Sequence, residues 1–126
     1  MVILDTNIII DHLRQPVQDT ALKQIVKKEL TQNLAISIIT VQELFEGLST
    51  KNPAKKNSML RTIKPLKKLP YNFKTAQKAG ILIRDSKIQI EFADAAIAAT
   101  CLSYEAKLLT FNKKHFAQIP DIQFYQ

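Results

Sequence analysis

The chain has 126 residues, a formal net charge of +7 and 46% hydrophobic content, which suits one globular domain over residues 1–126 and argues against disorder. Its two glycines, Gly47 and Gly80, cannot write a phosphate-cradling G-x-x-x-x-G-K or G-x-G-x-x-G loop. One cysteine, Cys101, excludes a disulfide framework and a Cys-based zinc site, and two histidines, His12 and His115, leave little room for a His-rich metal centre.

Val2 to Leu4 is a short apolar run ending at Asp5 and reads as a first strand. Thr6 to Arg14 reads as a helix stopped by Pro16. From Val17 to Leu30, apolar residues at Val17, Ala21, Leu22, Ile25, Val26 and Leu30 follow helical spacing. Leu34 to Ile39 is β-branched and apolar, a second strand. Thr40 is expected to open a helix to about Ser49, with Gly47 serving tight packing or helix termination. Pro53 suits the first turn of a helix reaching Thr62. Leu66 to Leu69, between Pro65 and Pro70, reads as a third strand, and Asn72 as the N-cap of a helix to Asp85. Ser86 to Glu91 is a loop before the strongly apolar helix Phe92 to Tyr104. Lys107 to Leu109 is a fourth strand, and Ile122 to Tyr125 a last one at an edge. This alternation predicts an α/β domain with a mainly parallel, helix-covered sheet, whose ligands sit beyond the carboxyl ends of the strands.

No apolar run reaches the roughly 18 residues of a membrane helix, and MVILDTNIII lacks the basic opening of a signal peptide. The expected location is therefore the cytoplasm, with no membrane partner. Charge is unevenly spread. Residues 47–84 hold ten bases and no acid, leaving eight bases and eleven acids elsewhere. The basic block, including Lys51, Lys55, Lys56, Lys67 and Lys68, is either a solvated face or a surface for the phosphates of RNA.

Three acids interrupt apolar segments. Asp5 is the only charge between Met1 and Ile10, and Asp94 the only one between Phe92 and Tyr104. Glu43 follows the second strand and precedes Leu44 and Phe45. An unpaired buried carboxylate costs several kcal/mol or takes up a proton, so these acids need donors, a cation or an open cleft. Each also has a local explanation. Asp5 could cap a helix, Glu43 could close a capping box with Thr40, and Asp94 could favour the helix dipole. Capping does not explain why all three break the most apolar segments. Together they would suit Mg²⁺ or Mn²⁺, which prefer oxygen ligands.

Four ordered pieces carry a resemblance: Leu4-Asp5-Thr6-Asn7; Ser37-x-x-Thr40-x-x-Glu43-Leu44-x-x-Gly47; Ala93-Asp94-Ala95-x-Ile97-Ala98-Ala99; and Leu109-Thr110-x-Asn112-x-x-x-Phe116. Spanning nearly the whole chain, they resemble the PIN-domain ribonucleases, and within these the VapC-like toxins of type II toxin–antitoxin modules. The resemblance implies a three-layer α/β/α sandwich and a metal-dependent endoribonuclease. Asp5, Glu43 and Asp94 would hold Mg²⁺ or Mn²⁺ directly or through water. The ion would polarise the scissile phosphate and help activate water for in-line attack. Thr6 would steady the first carboxylate, Asn7 would support the same pocket, and Thr110 would hydrogen-bond near the acids. The implied partners are an RNA substrate, a separate antitoxin chain covering the pocket, and a second copy in a homodimer.

The sequence departs from the family at its fourth acid. Family members often carry Asp in the T-x-D/N segment or three residues later, where this chain has Asn112 and His115. Asn112 remains a candidate catalytic residue, but it brings no charge, so one-metal chemistry is expected. His115 reads as a surface residue, His12 as structural and Cys101 as core. The alternative is a weakened or inactive PIN-like module that only binds RNA. An aspartyl phosphatase of D-x-D type is disfavoured by Asn7, and a receiver domain by the absence of acids over residues 47–84.

Overall fold

In a computed structural model covering residues 1–126, β1 (Val2–Leu4) leads directly into α1 (Thr6–Arg14), followed by α2 (Ala21–Lys28) and β2 (Leu34–Ser37). Next come α3 (Ile38–Glu46), α4 (Pro53–Ile63), β3 (Lys67–Leu69) and α5 (Phe73–Asp85). The chain closes with α6 (Phe92–Ser103), β4 (Lys107–Leu109) and a short α7 (Lys113–Phe116). The four strands form one sheet in the order β3-β2-β1-β4, every pair parallel.

Strand alternation builds the three layers. Val2, Leu4, Leu34 and Ile36 face one core, filled from α1, α2 and α4 by Ile8, Ile9, Leu22, Ile25, Met59 and Ile63. Ile3, Ala35 and Leu108 face the other, with Ala79 of α5 and the alanines, Ile97 and Cys101 of α6. Strands buried on both faces read as continuous apolar runs, which is why Val2–Leu4 and Leu34–Ile36 lack polar positions. Small side chains on α6 let it lie close to the sheet, and Phe116 of α7 seals that core with no exposed surface.

The order of the strands also fixes where a ligand can bind. From β1 the chain moves outward to β2 and β3, then returns to place β4 on the other side of β1. The connections therefore leave in opposite directions at β1 and β4, and the crevice beyond their carboxyl ends is the topological switch point. Asp5 and Thr110 are the first residues past those two strands.

Several boundaries differ from the sequence reading. The second helix begins at Ala21, capped by Thr20, and Val17 is 89% exposed in the turn before it. β2 ends at Ser37, whose hydroxyl accepts from the Ile39 amide at 3.0 Å and caps α3. The helix thus starts two residues before Thr40, so the proposed Thr40–Glu43 capping box does not form, and Glu43 lies in the second turn. The cause is local: a serine hydroxyl at the strand end stops the ladder before the β-branched residues that follow it. Gly47 terminates α3. The expected last strand contributes a single bridge, Leu108 to Phe124, because Asp121 adopts a positive φ of 67° beside Pro120 and redirects the chain. Asn72 caps α5 as expected, accepting from the Thr75 amide at 3.1 Å. No helix is long and apolar enough to cross a membrane.

Candidate active site

Asp5 is 5% exposed and tightly held. Its Oδ1 accepts from the Thr6 amide at 2.7 Å, the N-cap of α1, and its Oδ2 accepts from the Thr110 hydroxyl at 2.6 Å. Thr110 in turn accepts from the Asn112 amide at 2.9 Å. The Asp5 amide donates to the Leu109 carbonyl at 2.9 Å, so the parallel β1–β4 ladder itself brings the two residues together.

Glu43 reaches the same region from α3. The Thr6 hydroxyl lies 2.6 Å from Glu43 Oε1 and 2.9 Å from the Thr40 hydroxyl. A carboxylate only accepts, so the single Thr6 proton goes to Glu43 and Thr40 donates to Thr6. The result is a one-way chain from buried Thr40 through buried Thr6 to half-buried Glu43. Asn7 supports the rim, where its Oδ1 accepts from the Phe111 amide at 3.4 Å. Asp94 enters from the first turn of α6, where a helix N-terminus tolerates negative charge.

The three carboxylates share one electrostatic field. Burial pushes each above its ordinary range, and repulsion adds to it at two of them: Asp5 raises Glu43, and both Asp5 and Glu43 raise Asp94. Donors from Thr110 and Thr6 oppose the shift at Asp5, and Thr6 opposes it at Glu43, whereas no hydrogen bond relieves Asp94. The only two ion pairs of the protein, Lys27–Asp19 and Arg84–Asp85, involve none of these acids. The cluster is therefore short of positive charge.

A divalent cation fits that deficit. Asp94, the second oxygen of Glu43 and the remaining lone pairs of Asp5 are open acceptors, all oxygen. No three His, Cys, Asp or Glu side chains close into a compact metal-holding group. These side chains alone therefore do not enclose an ion, and a cation held here would keep water among its ligands.

Other sequence candidates separate. Asn112 is exposed and bonds through its backbone, its amide donating to the Thr110 hydroxyl and its carbonyl accepting from the His115 amide at 3.0 Å. His115, read as a surface residue, is exposed, but its charge lowers both Asp5 and Asp94. A basic group thus stands where the family often has an acid; the three-residue offset from Asn112 was the available signal. Thr40 appeared in the sequence only as a capping residue, and its hydroxyl contact to Thr6 depends on strand register. His12 Nδ1 meets the Thr20 hydroxyl at 2.9 Å, a structural contact at the α2 cap. Cys101 is buried and its thiol is pushed up to about 12.

The basic block is split by the fold. Lys55, on the first turn of α4, and Arg14 line a cleft of about 600 Å³ with Glu43, floored by Ile10, Leu44 and Met59. Lys51 and Lys56 flank that turn, the first exposed and the second half-buried. Lys67 and Lys68 lie on edge strand β3, away from β1. The Lys68 ammonium is occupied, donating to the Ile63 and Lys64 carbonyls at 2.7 and 3.0 Å, where it caps the end of α4.

A parallel sheet whose switch point gathers three under-compensated carboxylates defines the class, and sequence comparison identifies it. Residues 2–122 match the PIN domain, and the chain belongs to that family. Ribonuclease VapC19 of Mycobacterium tuberculosis is 27% identical over 124 residues, covering 98% of both chains. Among solved structures, VapBC-1 from nontypeable Haemophilus influenzae superposes with a TM-score of 0.79 at 26% identity, covering 100% of this chain and 98% of that one. A toxin–antitoxin complex from Klebsiella pneumoniae gives 0.75 at 26% identity, covering 97% and 95%. DNA-bound VapBC from Salmonella typhimurium shares the fold with a TM-score of 0.84 at 23% identity, covering 98% and 96%.

Proposed function

We propose that this protein is an endoribonuclease, the toxin of a type II toxin–antitoxin pair, cleaving RNA phosphodiesters with Mg²⁺ or Mn²⁺. The observation that carries this reading is the group Asp5, Glu43 and Asp94 beyond the carboxyl ends of the strands: all three are raised by burial, Glu43 and Asp94 also by neighbouring acids, and none forms an ion pair, in a chain of net charge +7. Relationship to VapC19, named a ribonuclease, supports the substrate class. Neighbours solved as toxin–antitoxin complexes support a separate antitoxin chain as partner, and a homodimer is proposed with it.

In this reading Asp5, Glu43 and Asp94 hold the cation, partly through water. When bound, the ion polarises the scissile phosphate and eases deprotonation of the attacking water. The chain's own residues do the positioning. Thr110 fixes one Asp5 oxygen and the Thr6 amide the other, so that carboxylate cannot rotate. Thr6 fixes one Glu43 oxygen and leaves the second without a hydrogen-bond donor. Lys55 and Arg14, in the cleft beside Glu43, are placed to neutralise RNA phosphates. Asn112 acts through its amide on Thr110, which favours one-metal chemistry.

The test is cleavage of total RNA by purified protein with Mn²⁺, with EDTA, and as Asp94→Asn. Activity in Mn²⁺ that disappears in EDTA and falls at least 100-fold in Asp94→Asn is expected. Undiminished cleavage by Asp94→Asn would refute the assignment. RNA binding without cleavage by wild type under all metal conditions would instead favour a binding module.

A further inference from the structure

We propose that Phe111 is a stacking platform for an unpaired RNA base next to the scissile phosphate. The inference rests on the nuclease reading above and adds how the substrate is gripped. Phe111 is the residue immediately after Thr110. Thr110 is 4% exposed and bonded to Asp5, yet Phe111 is 56% exposed. The change happens within one residue, just past the carboxyl end of β4.

The ring is held on a fixed mount. The Phe111 amide donates to Asn7 Oδ1 at 3.4 Å, and the next amide, of Asn112, donates to the Thr110 hydroxyl at 2.9 Å. Both partners belong to the site. The ring itself makes no aromatic contact, whereas Phe92, before Asp94, rests edge-on against Tyr71 with centroids 5.9 Å apart. Phe116, five residues on, is completely buried, so the loop has a core anchor and Phe111 is not needed as one.

Charge says what the ring is offered to. Phe111 is followed by Asn112, Lys113, Lys114 and His115, all exposed, with no acid among them. The Lys113 ammonium lies 5.9 Å from the Phe124 ring centre, leaving Lys114 available. An exposed aromatic beside cations is the pattern that binds single strands: lysines track phosphates while a π-face takes a base. A base inside a duplex has both faces covered by its stacked neighbours, so this contact selects unpaired RNA at the cleavage point.

The experiment uses a single-stranded RNA 12-mer carrying 2-aminopurine, and its duplex, in EDTA so that no cleavage occurs. Phe111→Ala and Phe111→Leu are expected to weaken single-strand binding about 5- to 150-fold, the factor equivalent to about 1–3 kcal/mol of stacking per base. Quenching of 2-aminopurine should be lost in both and kept in Phe111→Tyr, and duplex binding should be unchanged. The salt slope should survive Phe111→Ala and fall by about one in Lys114→Ala. Wild-type binding with quenching that Phe111→Leu retains would overturn the platform alone. No RNA binding by wild type would overturn the platform, whereas the nuclease reading stands or falls on cleavage in Mn²⁺. A shift of Phe111→Ala from dimer to monomer in sedimentation, with RNA affinity intact, would make this ring an interface between copies.

Discussion

Replacing Thr110 by Val tests how the site holds its most buried charge. The substitution keeps the side-chain volume and removes one hydroxyl, so no cavity opens. Two bonds are lost: the 2.6 Å donation to Asp5 Oδ2 and the acceptance of the Asn112 amide at 2.9 Å. Asn112 is exposed and water replaces the second bond at little cost. The first cannot be replaced, because Asp5 is 5% exposed. Hydrogen bonds to charged groups contribute about 1.5–3 kcal/mol, which sets the expected loss of stability while Asp5 is ionised. Its pH dependence has a definite sign. Burial raises the Asp5 carboxyl and the Thr110 donor lowers it, so deleting the donor raises it further. The stabilisation from Thr110 is therefore complete above the variant's folded pKa and fades as pH falls through the wild-type folded pKa. Urea unfolding in EDTA at about pH 8 and about pH 4 reads this directly. A loss near 1.5–3 kcal/mol at the higher pH and well under half of that at the lower is expected. Activity should fall about 10- to 150-fold, the kinetic equivalent of the same energy. Equal losses at both pH values would refute the claim that Thr110 serves the ionised carboxylate.

Two further substitutions probe the other acids. Asp94 is raised first by burial, then by Asp5, Glu43 and Glu91, so ionising it opposes folding as pH rises from its unfolded value through its folded one. Metal-free Asp94→Asn should accordingly be more stable than wild type near pH 7 by about 1 kcal/mol or less after solvent screening, with no advantage below about pH 4. Thermal melts check this, and the gain in Tm that wild type shows on adding Mn²⁺ should shrink in the variant. Thr40→Val removes the donor that orients Thr6 and leaves the Thr6 oxygen buried with one partner fewer. Stability should fall by about 1 kcal/mol and activity several-fold, with Thr40→Ser restoring both; calorimetry and RNA cleavage measure the pair.

Most of the element pattern was readable because the segments are short and strongly apolar. Val2–Leu4, Lys107–Leu109 and the Pro53 helix start fall where the sequence puts them. Misreadings came where local chemistry competed. Ser37 stopped β2 early, Thr20 started α2 late, and one turn at Asp121 reduced a strand to a bridge. Asp5, Glu43 and Asp94 were legible as charges in the wrong company, since burial of a carboxylate carries a cost that composition alone exposes.

Which acids meet, and what else meets them, was decided in three dimensions. Thr40 donates to Thr6 only because parallel pairing of β1 and β2 aligns the ends of both strands. Lys68 is spent on two carbonyls while Lys55 shares a cleft with Glu43, though both belong to one basic run. The field of His115 reaches Asp5 across a hundred residues of chain. Sequence by itself determined the layers and marked three acids as out of place, because hydrophobic patterning is a local property. Strand order determined their company, because hydrogen bonds and Coulomb forces act through space and take no account of separation along the chain.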